Sequence, residues 1–232
     1  PLESGKSSAH MIVSWGRKCA MTSERHYLKP TRYLASDMHS FVRYHLLAML
    51  ICIGSIACSN LALAESNVLK REAWGAKPAV TSRMRAHKPS GIVIHHTSVR
   101  QQRRLSIEKK MRGLQSFSQR PGRVGKRRKP AWGDVPYHFY IGASGRVAQG
   151  RSLKFAGDTN TRYSTAGWIQ IVLEGDFTKE KPTGGQLTSL RDLTKRLTRR
   201  YGISGERITA HNDHASTNCP GSNLKKHIPS LR

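Results

Sequence analysis

Acidic residues are scarce in this 232-residue chain: 14 Asp and Glu stand against 40 Lys and Arg, a net charge of +26. That imbalance predicts a polyanionic neighbour, such as nucleic acid, phosphate-bearing envelope polymer or anionic lipid, and says nothing about fold. Cysteine is scarcer still. Four residues are too few to build a disulfide miniprotein of this length. Long hydrophobic runs are also missing: the best, residues 46–57, has twelve residues, where a membrane-spanning helix needs about 20. A multi-span membrane protein is excluded, and composition excludes a collagen and a coiled coil. There is no internal repeat. What the chain does have is 37% hydrophobic residues, enough for a core, in a length that accommodates one ordinary domain and some additional chain.

The additional chain is at the N-terminal end. From Met38 a short lead carries Arg43, the apolar run 46–57 follows, and Ala62-Leu63-Ala64 precedes Glu65. A charged lead, a short apolar middle and a small-x-small exit are the parts of a secretory signal peptide, here residues 38–64. Residues 1–37 are read as a segment upstream of the natural start and receive no function. Gly5-Lys6-Ser7 lacks the earlier glycine of a phosphate loop. Ser55-Ile56-Ala57-Cys58 resembles a lipobox and offers a second route, a lipid anchor on Cys58. Residues 65–232 are then the exported domain, with 33 basic and 11 acidic residues and one cysteine, Cys219. A lone thiol in an exported protein calls for a reason, and metal ligation is one.

Within that domain, residues 91–96 (GIVIHH), 137–142, 146–149 and 207–211 read as strands, and Trp168-Ile-Gln-Ile-Val-Leu, the most apolar, as the central one. Ile107, Met111, Leu114 and Phe117 recur at helical spacing. Leu187, Leu190, Leu193, Leu197 and Tyr201 do the same, with Gly202 as the stop. Residues 119–130, QRPGRVGKRRKP, carry six basic side chains among Gly and Pro and read as a loop insertion. Strands interleaved with two amphipathic helices predict an α/β fold, a sheet covered by helices.

Metal-type ligands fall in three segments: His95-His96, His211-Asn212-Asp213-His214, and Thr217-Asn218-Cys219-Pro220-Gly221. Strand side chains alternate faces, so one of His95 and His96 can reach a given ion while the other packs or meets solvent. His211 and Cys219 stand eight residues apart across a turn and can reach one ion together. Zinc takes nitrogen and thiolate ligands in a tetrahedral array and, in catalytic sites, keeps a position for water. The bland reading of the same residues is a set of satisfied structural histidines and a buried thiol.

Five pieces, in order, resemble the zinc-dependent N-acetylmuramoyl-L-alanine amidase family, which includes the peptidoglycan recognition proteins and phage lysozyme-type amidases. They are Arg71-Glu-Ala-Trp-Gly-Ala-Lys-Pro, Ile92-Val-Ile-His-His-Thr-Ser, Val135-Pro-Tyr-His-Phe-Tyr-Ile-Gly, Gly145-Arg-Val-Ala-Gln-Gly-Arg, and His211-Asn-Asp-His-Ala-Ser-Thr-Asn-Cys-Pro-Gly. The resemblance implies a single domain with a central mixed sheet flanked by helices, and a zinc ion held by His95, His211 and Cys219. It implies Tyr137 as catalytic tyrosine and Thr217 as a residue lining the site. The implied reaction is hydrolysis of the amide between N-acetylmuramic acid and L-alanine in peptidoglycan, by an exported, periplasmic or secreted monomer. The alternative is a peptidoglycan-binding protein of the same fold without catalysis. The signal peptide, and the absence of a nucleic-acid motif, oppose a nucleic-acid partner.

Two departures from the family pattern stand out. Its Gly-x-His-Thr appears here as Gly157-Asp158-Thr159-Asn160, and its Ser-Ile-Gly-Ile as Gly167-Trp-Ile-Gln-Ile. The position of the strand glutamate used by some branches is Val172, and Glu174 lies out of register with it. His96 and His138 are read as structural, Asp213 and His214 as turn residues, and Trp74 and Trp132 as core. Arg146 and Arg151 are placed on a solvated hairpin face. The loop 119–130 is a solvated insertion whose functional reading is salt-sensitive tethering to anionic envelope polymer.

Overall fold

The computed structural model of the protein describes residues 68–232. The segments 1–37 and 38–64, and with them Cys58, lie outside the described residues. Six strands form one mixed sheet: β1 (Val68–Leu69), β2 (Gly91–His96), β5 (Phe139–Ile141), β6 (Val147–Gln149), β7 (Trp168–Leu173) and β8 (Ile208–Ala210), in the order β1-β6-β5-β7-β2-β8. β5 and β6 are antiparallel, joined across a tight turn, and the other neighbours run parallel. The apolar run 168–173 does lie in the middle. β7 pairs with β2 on one side and β5 on the other, and past Trp168 each of its residues is buried. A strand covered on both faces has no solvent side, hence its near-continuous apolar composition.

Alternation divides the sheet between two helices. Ile92, Ile94, Ile169, Ile171 and Leu173 pack with Leu190, Leu193 and Leu197 of helix α2 (Gly184–Tyr201). Val172, Tyr140 and Ala148 pack with Trp74 and with Ile107 and Met111 of helix α1 (Ile107–Ser118). Burying each large side chain stabilises the fold by about 1.5–3 kcal/mol relative to exposure. Both helices begin where a hydroxyl can cap them. Ser106 accepts from the Lys109 N–H, and Thr183 forms a reciprocal capping box with Gln186. Helix α2 ends at Gly202 in the left-handed conformation, as the sequence suggested.

Three expectations change. Residues 119–130 are not a loop alone: β3 (Gly122–Val124) and β4 (Arg127–Lys129) form an antiparallel hairpin around Gly125, which takes positive φ. Lys129 pins it. Its ammonium is buried, donates to the carbonyls of Ser118 (2.9 Å), Arg120 (2.5 Å) and Pro130 (3.0 Å), and lies over the rings of Phe117 and Trp132. Phe117 is 44% exposed, so the helical stripe ends before it. Arg151 is buried rather than solvated, because its guanidinium finds the carbonyls of Val135, Ala156 and Asp134 and the carboxylate of Asp158. Arg146 does lie on the exposed hairpin face, paired with Glu108. Trp74 and Trp132 are buried as expected.

Candidate metal centre

The alternation of β2 decides between its two histidines. His96 lies on the α2 side, beside Phe177, where its Nδ1 accepts from the Phe177 N–H (3.1 Å) and its Nε2 meets the Ser98 hydroxyl. His95 points to the opposite face. It shares that face with His211, which follows β8 in a short 3-10 turn, and with Cys219 in the turn before helix α3 (Ser222–Lys225). That second turn is tight. A Cβ on Gly221 would come within 2.3 Å of the Phe177 backbone, and its φ is +86°. One ligand-type atom from each of His95, His211 and Cys219 lies within 4.8 Å of the other two, and all three residues are buried.

The donor atoms fit zinc. His95 Nδ1 lies 3.6 Å from Cys219 Sγ. Tetrahedral zinc, with Zn–N about 2.0–2.1 Å and Zn–S about 2.3 Å, holds two such atoms about 3.6 Å apart. His211 Nδ1 is buried with no hydrogen-bond partner. The opposite nitrogens are occupied: His95 Nε2 bonds the Gln170 amide oxygen, and His211 Nε2 bonds the Thr161 hydroxyl (2.8 Å). Each ring therefore keeps one nitrogen for the common point and anchors the other, the arrangement typical of ligating histidines. His214 is not in the cluster. Its Nε2 bonds Thr209, and its ring stacks on Tyr163.

Burial dominates the electrostatics. It lowers His95 well below the ordinary histidine range, with His211 adding to the effect, and lowers His211 to about 4, with His214 and His96 adding. Both imidazoles are neutral at physiological pH and offer lone pairs. Burial pushes the Cys219 thiol up to about 12 against the lowering effect of the His96 N–H, 3.3 Å from Sγ. A thiol so placed ionises only when a cation supplies the compensating charge.

A groove of about 1000 Å³ opens onto the cluster, lined by Tyr137 and Thr217 as well as His95, His211 and Cys219. The Tyr137 ring lies 5.3 Å from that of His95. Burial first, then Cys219 and Tyr163, raise its phenol far above neutrality. Thr217 Oγ1 accepts the Cys219 N–H (3.2 Å), which leaves its proton free to donate. Glu174 lines the groove but is committed to the framework. It accepts from Lys110 (2.8 Å), from the Gln102 N–H (2.7 Å) and from the Ala143 N–H (2.8 Å). His138 is held at both nitrogens, by the Gln170 N–H and the Phe155 carbonyl. Sequence reasoning missed Gln170, Thr161 and Tyr163. Gln170 did leave a signal, as the one polar side chain inside the most apolar strand.

A single-domain α/β protein with a His-His-Cys cluster beyond the ends of β2 and its edge neighbour β8 is the class that fold and site define. The family model described as N-acetylmuramoyl-L-alanine amidase matches residues 85–222, and the chain belongs to that family. It is 27% identical over 181 residues to peptidoglycan-recognition protein SC2 of Drosophila simulans, covering 77% of this chain and 93% of that protein. It is 26% identical to human N-acetylmuramoyl-L-alanine amidase over 157 residues, 65% of this chain but 26% of the longer relative. Among solved structures, peptidoglycan recognition protein-LE in complex with tracheal cytotoxin, a monomeric diaminopimelic acid-type peptidoglycan, superposes with a TM-score of 0.60 at 27% identity. That match covers 71% of this chain and 94% of that one. The endolysin N-acetylmuramoyl-L-alanine amidase LysCS from Clostridium intestinale does so with 0.54 at 26% identity, over 71% and 94%.

Proposed function

We propose that this domain is a zinc-dependent amidase that hydrolyses the bond between N-acetylmuramic acid and the L-alanine of the peptidoglycan stem peptide, acting outside the cytoplasm as an exported protein. The reading rests on one observation: three buried ligand atoms converge, with the outer nitrogens of both imidazoles already held, at the floor of a groove that also presents a tyrosine. His95 Nδ1, His211 Nδ1 and Cys219 Sγ would hold the ion. Zinc, when bound there, supplies a Lewis acid for the amide carbonyl and activates water near neutral pH.

The chain's own groups do the rest. The groove positions the glycopeptide with its scissile carbonyl beside the cluster. Tyr137 stays protonated because of its burial, so its hydroxyl donates to the carbonyl oxygen as negative charge develops there. Thr217, whose oxygen is already engaged by the Cys219 N–H, offers a second hydroxyl proton at the same edge. Among the described residues no helix is long and apolar enough to cross a membrane.

A second reading, binding without turnover, draws on the two carboxylates that line the groove: Asp158 is engaged by Arg151 and Glu174 by Lys110. One assay separates the two. Purified protein is incubated with peptidoglycan, with and without chelator, and stem peptide released from glycan is measured. Chelator-sensitive release, lost in Cys219→Ala, is the expected result. Binding with no release by the zinc-loaded protein selects the second reading, and full activity of Cys219→Ala refutes the site.

A further inference from the structure

The two segments at which the sequence departs from its family's pattern, 157–160 and 167–171, meet at Gln170 behind the metal cluster. Gln170 is 1% exposed. Its amide oxygen accepts from His95 Nε2 and from the Tyr163 hydroxyl (3.1 Å), while its own Nε2 is buried with no partner. Leaving a buried amide half-satisfied costs free energy, so a leucine of similar volume would suit this strand better if packing were the only demand. Gly157 packs against it: a Cβ there would fall 2.5 Å from the Pro136 carbonyl oxygen and 2.6 Å from Gln170 Cγ. The loop that begins at Gly157 then supplies the remaining contacts. Thr161 bonds His211 Nε2 and is itself bonded to Thr159, and the Tyr163 ring lies 5.3 Å from that of His211.

We infer that Gln170 and Tyr163 are positioning residues for the metal centre. The Gln170 carbonyl holds the proton of His95 on Nε2, which leaves the Nδ1 lone pair directed at the ion. Tyr163 holds that carbonyl in place and braces the face of His211. The amide orientation carries the argument. Turned over, the Gln170 NH2 would donate to Nε2, move the ring proton to Nδ1 and block the ligand position. The inference rests on the zinc reading above and extends it to the atoms that set ligand geometry.

The test measures zinc affinity by competition with a chromophoric chelator, together with the absorption bands of the cobalt-substituted protein and the thermal midpoint of the apo form. Wild type, Gln170→Leu, Gln170→Glu and Tyr163→Phe are compared. Gln170→Leu is expected to lose about 10–100-fold in affinity, the usual cost of removing such an outer partner, with altered cobalt bands and an apo midpoint equal to or above wild type. Gln170→Glu, which keeps an acceptor at the same place, should stay within a few-fold of wild type. Tyr163→Phe should lose severalfold. Gln170→Leu that folds and binds zinc within twofold of wild type, with unchanged cobalt bands, overturns the inference. If that variant does not fold, Tyr163→Phe binding as wild type does so. Failure of the underlying reading looks different: wild type itself then binds no zinc, or Cys219→Ala binds as tightly as wild type.

Discussion

Zinc titrated into the apo protein at pH 6 should release one proton per ion bound. The count follows from the three donors. His95 is held well below the ordinary histidine range and His211 at about 4, so at pH 6 both rings are already neutral and give up nothing. The Cys219 thiol, pushed up to about 12 by burial, is protonated and must lose its proton to ligate. A water held on zinc ionises near pH 7, so at pH 6 it contributes only a minor fraction. One proton released means that affinity rises about tenfold per pH unit, about 1.4 kcal/mol. Calorimetry in buffers of differing ionisation enthalpy reads the proton number directly. A value near zero would mean that no thiol takes part and an all-imidazole site must be sought. A value near two would mean that a histidine is charged in the apo protein, against the effect of its burial.

Three further outcomes are expected. Tyr137→Phe should lower turnover of peptidoglycan about 100-fold or more, the worth of one donor to a developing oxyanion, while zinc affinity stays unchanged; turnover within threefold of wild type would remove Tyr137 from the chemistry. Glu174→Gln breaks a buried pair with Lys110 and should cost about 3 kcal/mol, roughly 10 °C in thermal midpoint, with the turnover of the folded fraction unchanged; a stable variant with no activity would make Glu174 catalytic. His138 is lowered to about 3 by burial. Below the unfolded value of 6.5, the unfolded chain takes up a proton that the folded one refuses, so stability is full above pH 6.5 and falls by about 1.4 kcal/mol per pH unit towards pH 3. Chelator-treated His138→Gln should show a pH slope of stability shallower by one proton across that window, and an identical slope would contradict the assignment.

Five of the sheet's six strands were legible in the sequence because their signals are local, and the two-residue β1 was not. Residues 168–173 are apolar but for Gln170 since neighbours cover both faces, and the end of helix α2 announces itself through a glycine stop at 202, whereas its threonine cap at 183 went unread. The resemblance likewise named five site positions, because the family's motifs lie in short contiguous stretches. The hairpin at 122–129 was not legible. Its residues are basic and mostly exposed, so no alternation marks it, and what secures it is Lys129 reaching three carbonyls beyond its own strand. Arg151 failed for the same reason, since its acceptors come from residues 134, 135, 156 and 158, which only the fold assembles around it.

The outer partners of the histidines were invisible on the same principle, and on the zinc reading proposed above their placement sets how this chain would present its ligands. A parallel strand fixes the direction of a side chain but leaves an imidazole free to rotate and to choose between two tautomers. β2 therefore delivers His95 to the correct face without deciding which nitrogen is offered. That decision is made one strand away, by Gln170 on β7, whose neighbour Ile169 pairs with Ile92 and whose neighbour Ile171 pairs with Ile94. For His211 it is made by Thr161 on the intervening loop. On that reading His95 would be specified twice, once by sheet register and once by hydrogen bonding, and His211 by the turn after β8 and its bond to Thr161. A metal centre built this way loses affinity by degrees when an outer partner is removed, and loses it outright when a ligand is.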